Sequence, residues 1–146
     1  MDMDIRGLVN MISDIEAQPD ASDASNEIND FVNYTIFLES QSHHWHLQTH
    51  KFSDHIALNG FYEEFPDLVD SFVEAYMAHA GTIVPSQCEY RFTPVQEAVK
   101  CLSLYREKAS QVHQTLEPVG LGITNTLEDI ITACDSVLYK LTNLTQ

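Results

Sequence analysis

The sequence predicts an all-α protein, a four-helix bundle with a crossover connection between its second and third long helices. Apolar residues recur at intervals of three and four along four long stretches. Glycine and proline are sparse, five of each, and most fall between those stretches. No stretch alternates convincingly enough to be a strand, and the link between the second and third stretches is long enough to cross a bundle.

The elements follow in order. Residues 4–15 carry Ile5, Leu8, Val9 and Ile12 on one stripe and predict a short N-terminal helix, followed by a polar linker, QPDASDAS, over 18–25. A first long helix is expected over 26–49, with Ile28, Phe31, Val32, Thr35 and Leu38 on its inner face and Ser25 as N-cap. A second is expected over 53–80, stopped by Gly81, with a loop over 83–92. Thr93-Pro94-Val95-Gln96 has the form of a capping box with proline at the first helical position, opening a third helix. Its inner face is Ala98, Leu102, Tyr105, Ala109, Val112 and Leu116, and it ends before Pro118 and Gly120. Asn125-x-x-Glu128 signals the fourth, with Leu127, Ile130, Ile131, Cys134, Val137, Leu138 and Leu141 inward. The 146 residues read as one domain, large enough to bury a core without staples.

Composition narrows the function. Asp and Glu number 22 against 7 Lys and Arg, a formal net charge of −15. Phosphate backbones are bound by neutralising them with clustered cations, so direct nucleic-acid binding is not expected. No apolar run approaches the roughly 18 residues of a membrane span. The N-terminus, MDMDIRG, lacks the basic character of a targeting peptide, so a cytoplasmic protein is expected. Three scattered cysteines, Cys88, Cys101 and Cys134, form neither a disulfide framework nor a zinc motif. The last two fall among apolar residues, as core cysteines do.

Five of the seven histidines, His43, His44, His46, His50 and His55, fall within thirteen positions. Helix bundles build metal sites from imidazoles and carboxylates on facing helices. From His55, a rotation of about 100° per residue places Asn59, Glu63, Asp70 and Glu74 within one stripe about 100° wide. Spacing alone leaves open whether that stripe faces a site or water. Such donors suit iron, zinc or manganese.

His44-Trp45, Phe52, His55, Asn59-Gly60-Phe61, Asp70 and Glu74 together resemble the signature of the Dps-type ferritins. The resemblance covers the first two long helices; the last two agree only in length and pattern. It implies a ferritin-like fold and a closed homo-oligomer, as large as a dodecamer built from two-fold dimers. It also implies an iron site between subunits, with His44, His55 and position 59 from one chain and Asp70 and Glu74 from its partner. There Fe(II) would be oxidised by peroxide or oxygen and stored as ferric mineral. Zinc or another divalent metal would suit the same donors.

This chain departs from the pattern in three places. The family has Asp where Asn59 stands, His55 comes one residue early, and Pro66 falls inside the second helix. Asn59 removes a negative charge from a cation site, for which Glu63, one turn on, could compensate. The alternative reading is a structural or partner-binding assembly protein with a degenerate metal site. A third is a non-iron metal module built on His43, His46 and His50, whose bland counterpart is an exposed polar face. Trp45 and Phe52 read as packing residues, and no role falls to His79 or His113. Divergent chains of this kind also occur in tailed bacteriophages, so a phage-infected host cell is as good a setting as a bacterial cytosol.

Overall fold

The computed structural model describes residues 2–3 and 21–144, with side chains from Ser25 onward. The expected helix over 4–15 and the linker over 18–20 lie outside the described residues. Four long helices make up the body: α1 (Ala21–Gln48), α2 (Phe52–Ala80), α3 (Ala98–Leu116) and α4 (Leu121–Asn143). Each buries the face its periodicity predicts, because side chains three and four apart lie on one side of a helix. Ile28, Phe31, Val32, Thr35 and Leu38 are buried on α1, as are Ala98, Leu102, Tyr105, Ala109, Val112 and Leu116 on α3. On α4, Leu127, Ile130, Cys134, Val137 and Leu141 are buried, while Ile131 and Leu138 pack against the core half-buried.

The helix boundaries correct the sequence reading. α1 begins at Ala21, so residues 21–25 of the expected linker are helical and Ser25 lies inside the helix, not at its cap. Thr93 and Gln96 form no capping box. A 3-10 turn (Val95–Glu97) precedes α3, its N-cap is Pro94, and no side chain caps it. The Thr93 hydroxyl is drawn instead to Gln41 Oε1 at 3.3 Å. α4 starts at Leu121, a turn ahead of Asn125, because Gly120 takes φ 153°, which releases the chain from α3. α2 runs on through Pro66. The roughly 3 kcal/mol that an interior proline costs is offset by burial of Phe61, Phe65, Val69, Phe72 and Val73 on the same helix.

Two short strands went unforeseen: β1 (Asp2–Met3) lies parallel to β2 (Glu89–Tyr90), Asp2 against Glu89 and Met3 against Tyr90. The segment 81–94, which contains β2, follows α1 along its length. Near its start the Asn29 amide brackets Val84, donating to its carbonyl at 2.9 Å and accepting its N–H at 3.0 Å. Tyr90 meets Tyr34 and Phe37 farther on, and Phe92 meets Phe37 and His44. At the far end Val95 N–H donates to Gln48 Oε1 at 2.9 Å. α3 therefore starts beside the end of α1, and its Tyr105 hydroxyl lies 2.8 Å from Thr35 Oγ1 halfway back.

Candidate metal-binding hairpin

The histidine-rich stretch spans the end of α1, the turn at 49–51 and the start of α2, so its imidazoles are distributed by the α1–α2 hairpin. Successive residues differ by about 100° around a helix, and His44 and His46 consequently point to different neighbours. His44 lies flat on Phe92, ring centroids 4.5 Å apart and planes 3° from parallel. Its Nδ1 accepts a hydrogen bond from Gln48 Nε2 at 3.1 Å. It thus braces the 81–94 segment.

His46, on the other side, is buried, contrary to an exposed polar face for His43, His46 and His50. Its ring faces that of His55 with centroids 3.9 Å apart. His46 Nδ1 lies 3.1 Å from the His55 carbonyl oxygen, and His55 Nδ1 lies 3.2 Å from the His46 carbonyl oxygen and from Thr49 Oγ1. This reciprocal clasp ties the two helices together. His43 joins it at the edge, stacked 4.4 Å from Tyr62. His50 is exposed beyond the end of α1. Periodicity within one helix could not show that His46 meets His55. Their positions on either side of a three-residue turn were the available signal.

The remaining candidates line the outer side of α2. Asn59 is half-buried, while Glu63, Asp70 and Glu74 are exposed. None of these three carboxylates has a basic partner among the described residues. Among the described residues no group of three or more His, Cys, Asp or Glu side chains within one chain is arranged to hold a metal ion. A groove of about 390 Å³ runs between α1 and α2, lined by Glu39, Ser40, His43, Tyr62, Glu63 and Pro66. Phe52, expected to pack, is 75% exposed, whereas Trp45 is fully buried.

Glu39 was missed by the sequence reading. Its burial, and secondly the charge of Asp70, hold its carboxyl above the ordinary carboxylate range. A carboxyl raised in the folded state adds stability that is complete below the unfolded value and lost as pH rises through the folded value. Glu39→Gln should therefore stabilise the protein at neutral pH by less than about 1 kcal/mol, solvent screening being substantial. That gain should vanish at about pH 4, near the unfolded carboxyl value. Urea midpoints of both proteins at the two pH values test this; an equal shift at both would show that the carboxylate is under no strain.

Residues 46–141, well over half of the chain, match the model of a family described as a family of unknown function, DUF5856. The matched span takes in His46, His55, Asn59, Asp70 and Glu74, and begins just after His43 and His44. The chain is also similar to the "uncharacterized 14.6 kDa protein in mobD-ri intergenic region" of Enterobacteria phage T4. The two are 22% identical over 102 residues, covering 69% of this chain and 77% of the phage protein. No solved structure matches the chain. No helix among the described residues is long and apolar enough to cross a membrane.

Proposed function

The chain belongs to the DUF5856 family, and we propose that it is a ferritin-like subunit that binds iron on the outer side of α2, at a site completed by a second copy. The observation that carries this reading is the row of acid on that side. Glu63, Asp70 and Glu74 are exposed without a basic partner among the described residues, and His55 and Asn59 lie nearer the start of the same helix. Two copies packed antiparallel along α2 would bring His55 and Asn59 of one against Asp70 and Glu74 of the other. The passage of 81–94 along α1 supports a ferritin-like crossover. His44, braced between Phe92 and Gln48, serves the fold in this reading. Fe(II) is the substrate, and peroxide or oxygen takes its electrons. The phage relative supports an infected bacterial cytoplasm as the setting.

The test is an anaerobic Fe(II) titration of the purified protein, followed by peroxide while ferric absorbance is recorded. Saturable binding with fast oxidation is expected, with both lost in Asp70→Ala/Glu74→Ala. Binding equal in the two proteins would sink the proposal.

The second reading, an assembly protein without redox turnover, is favoured by the bundle end at the α1–α2 turn. There Phe52, Ile56 and Leu144 are each more than half exposed around a hollow rimmed by Lys140. A second copy of this acidic chain is the occupant that such an apolar patch with a basic rim suits. Oligomerisation that survives with no Fe(II) uptake would select it.

A further inference from the structure

The two ends of the bundle differ in charge, and each exposes apolar side chains. At the α1–α2 turn, Phe52, Ile56 and Leu144 surround an open hollow of about 380 Å³ between the start of α2 and the end of α4. Three of the chain's seven Lys and Arg stand at that end: Lys51 just before α2, Lys100 in the first turn of α3 and Lys140 in the last turn of α4. All three are exposed, whereas the acids there, Asp54 and Glu97, are half-buried. The opposite end of the same α2–α4 pair has the reverse character. Leu121, the first residue of α4, is 77% exposed, and Val119 stands out of the loop before it. Glu117 is exposed where α3 ends, as is Asp129 about two turns along α4. No Lys or Arg occurs over residues 52–90 or 109–139, so the bases at that end are the imidazoles His79 and His113, the latter bonded to Glu128.

At a formal net charge of −15, copies of this chain repel one another unless local charges are matched. Contact between two basic ends would set Lys51, Lys100 and Lys140 against their own kind, and contact between two acidic ends would oppose Glu117 to its counterpart. An end-to-end contact joins apolar to apolar and base to acid. In it the Glu117–Leu121 loop of one copy enters the hollow of the next, with Leu121 against Phe52, Ile56 and Leu144 and Glu117 beside Lys140. The two surfaces lie at opposite ends of one helix pair, so the contact is not self-complementary. Its repetition gives a ring or an open filament, according to the rotation from copy to copy.

We propose that the chain assembles head to tail, the acidic Glu117–Leu121 loop of one copy docking into the basic-rimmed hollow at Phe52, Ile56 and Leu144 of the next. This rests on the assembly reading of that hollow, names the surface that fills it, and uses neither the Asp70–Glu74 stretch of α2 nor a metal ion.

Sedimentation velocity of the full chain in chelator, over a concentration series, should show reversible association beyond the dimer that weakens as salt is raised. Phe52→Asp and Leu121→Asp should each weaken it by about tenfold or more, since each sets an unpaired carboxylate in an apolar contact. Mixing the two variants should then give a discrete dimer, because one keeps its loop and the other its hollow. Phe52 and Leu121 are 75% and 77% exposed, so neither change reaches the core. Should either fail to fold by circular dichroism, the charge reversals Lys140→Glu and Glu117→Lys, each weakened alone, should associate when mixed. A monomer at every concentration, or no association in the mixture, would overturn the proposal. So would Leu121→Asp that associates as the unaltered protein does while Phe52→Asp does not, which leaves the assembly reading standing and gives the hollow to another surface of the second copy. Association that appears only with Fe(II) and is lost in Asp70→Ala/Glu74→Ala would select the intersubunit iron contact instead. Binding of a monomer to equimolar phosphatidylglycerol–phosphatidylcholine vesicles, lost in Phe52→Asp, would give the hollow to a membrane surface and remove both assembly readings.

Discussion

Trp45→Ala is expected to lower the free energy of unfolding by about 3–5 kcal/mol, the range for deleting a large buried aromatic. Trp45 has no exposed surface, and its indole N–H donates to the Thr93 carbonyl at 2.9 Å. It thus does two things at once: it fills the core at the end of α1 and pins the segment that leads into α3. Gln41, also buried, holds the same residue, accepting Thr93 N–H at 2.7 Å. Trp45→Phe keeps most of the apolar volume and loses the indole bond. Its own cost should be smaller, with the hydrogen bond contributing about 1 kcal/mol. Urea unfolding of the three proteins separates the two contributions. A loss below 1 kcal/mol in Trp45→Ala would mean that the site collapses around the deletion and that Trp45 is no anchor.

Lys108→Ala and Lys108→Met should part company. Lys108 is wholly buried on α3, its Nζ 3.9 Å from Glu27 Oε2, and Glu27 keeps 22% of its side chain in contact with solvent. Breaking a buried ion pair typically costs 3–5 kcal/mol, whereas replacing it by packed apolar atoms is often neutral or better. Lys108→Ala, which leaves a hole and takes the ammonium from beside Glu27, should lose about 3 kcal/mol, the low end because Glu27 is partly hydrated. Lys108→Met fills the same volume and should stay within about 1 kcal/mol of the unaltered protein. Thermal or urea unfolding reads the difference. If Met costs as much as Ala, the charge itself, rather than the volume of its stem, holds α1 to α3.

The faces of the helices were legible because a period of three to four residues is a local property. Phe31, Leu38, Tyr105 and Ile130 needed no tertiary knowledge to be placed inside. Helix starts were less legible, since they depend on where the chain arrives from. Thr93 has the side chain of an N-cap, yet Gln41 and Trp45 from α1 claim its polar groups, and the helix begins beyond it. The same limit governs the candidate site. The resemblance to the Dps-type ferritins gathered His44 with His55, but half a turn of helix separates the partners of His44 from those of His46, and only the packed hairpin shows that His46 is the one that meets His55. Glu39 has no distinguishing sequence pattern; its burial, and secondly the charge of Asp70 on α2, make it unusual. Lys108 belongs with these, a cation on a face whose other members are apolar, placed there by the reach of its own stem.

The course of 81–94 beside α1 bears on how fast the molecule assembles. Contacts within each helical hairpin join residues close in sequence, such as His46 with His55. Those that join the hairpins span far more chain: 55 residues from Asn29 to Val84, 48 from Trp45 to Thr93 and 70 from Thr35 to Tyr105. Rates fall as the mean separation of contacting residues grows, because loop-closure entropy is lost before such contacts are gained. The hairpins can therefore nucleate early and independently, and the slow event is the laying down of the long connection that lets one hairpin find the other. Alterations at Asn29, Gln41 or Trp45 should then slow refolding, whereas those confined to the outer side of α2 should leave its rate alone.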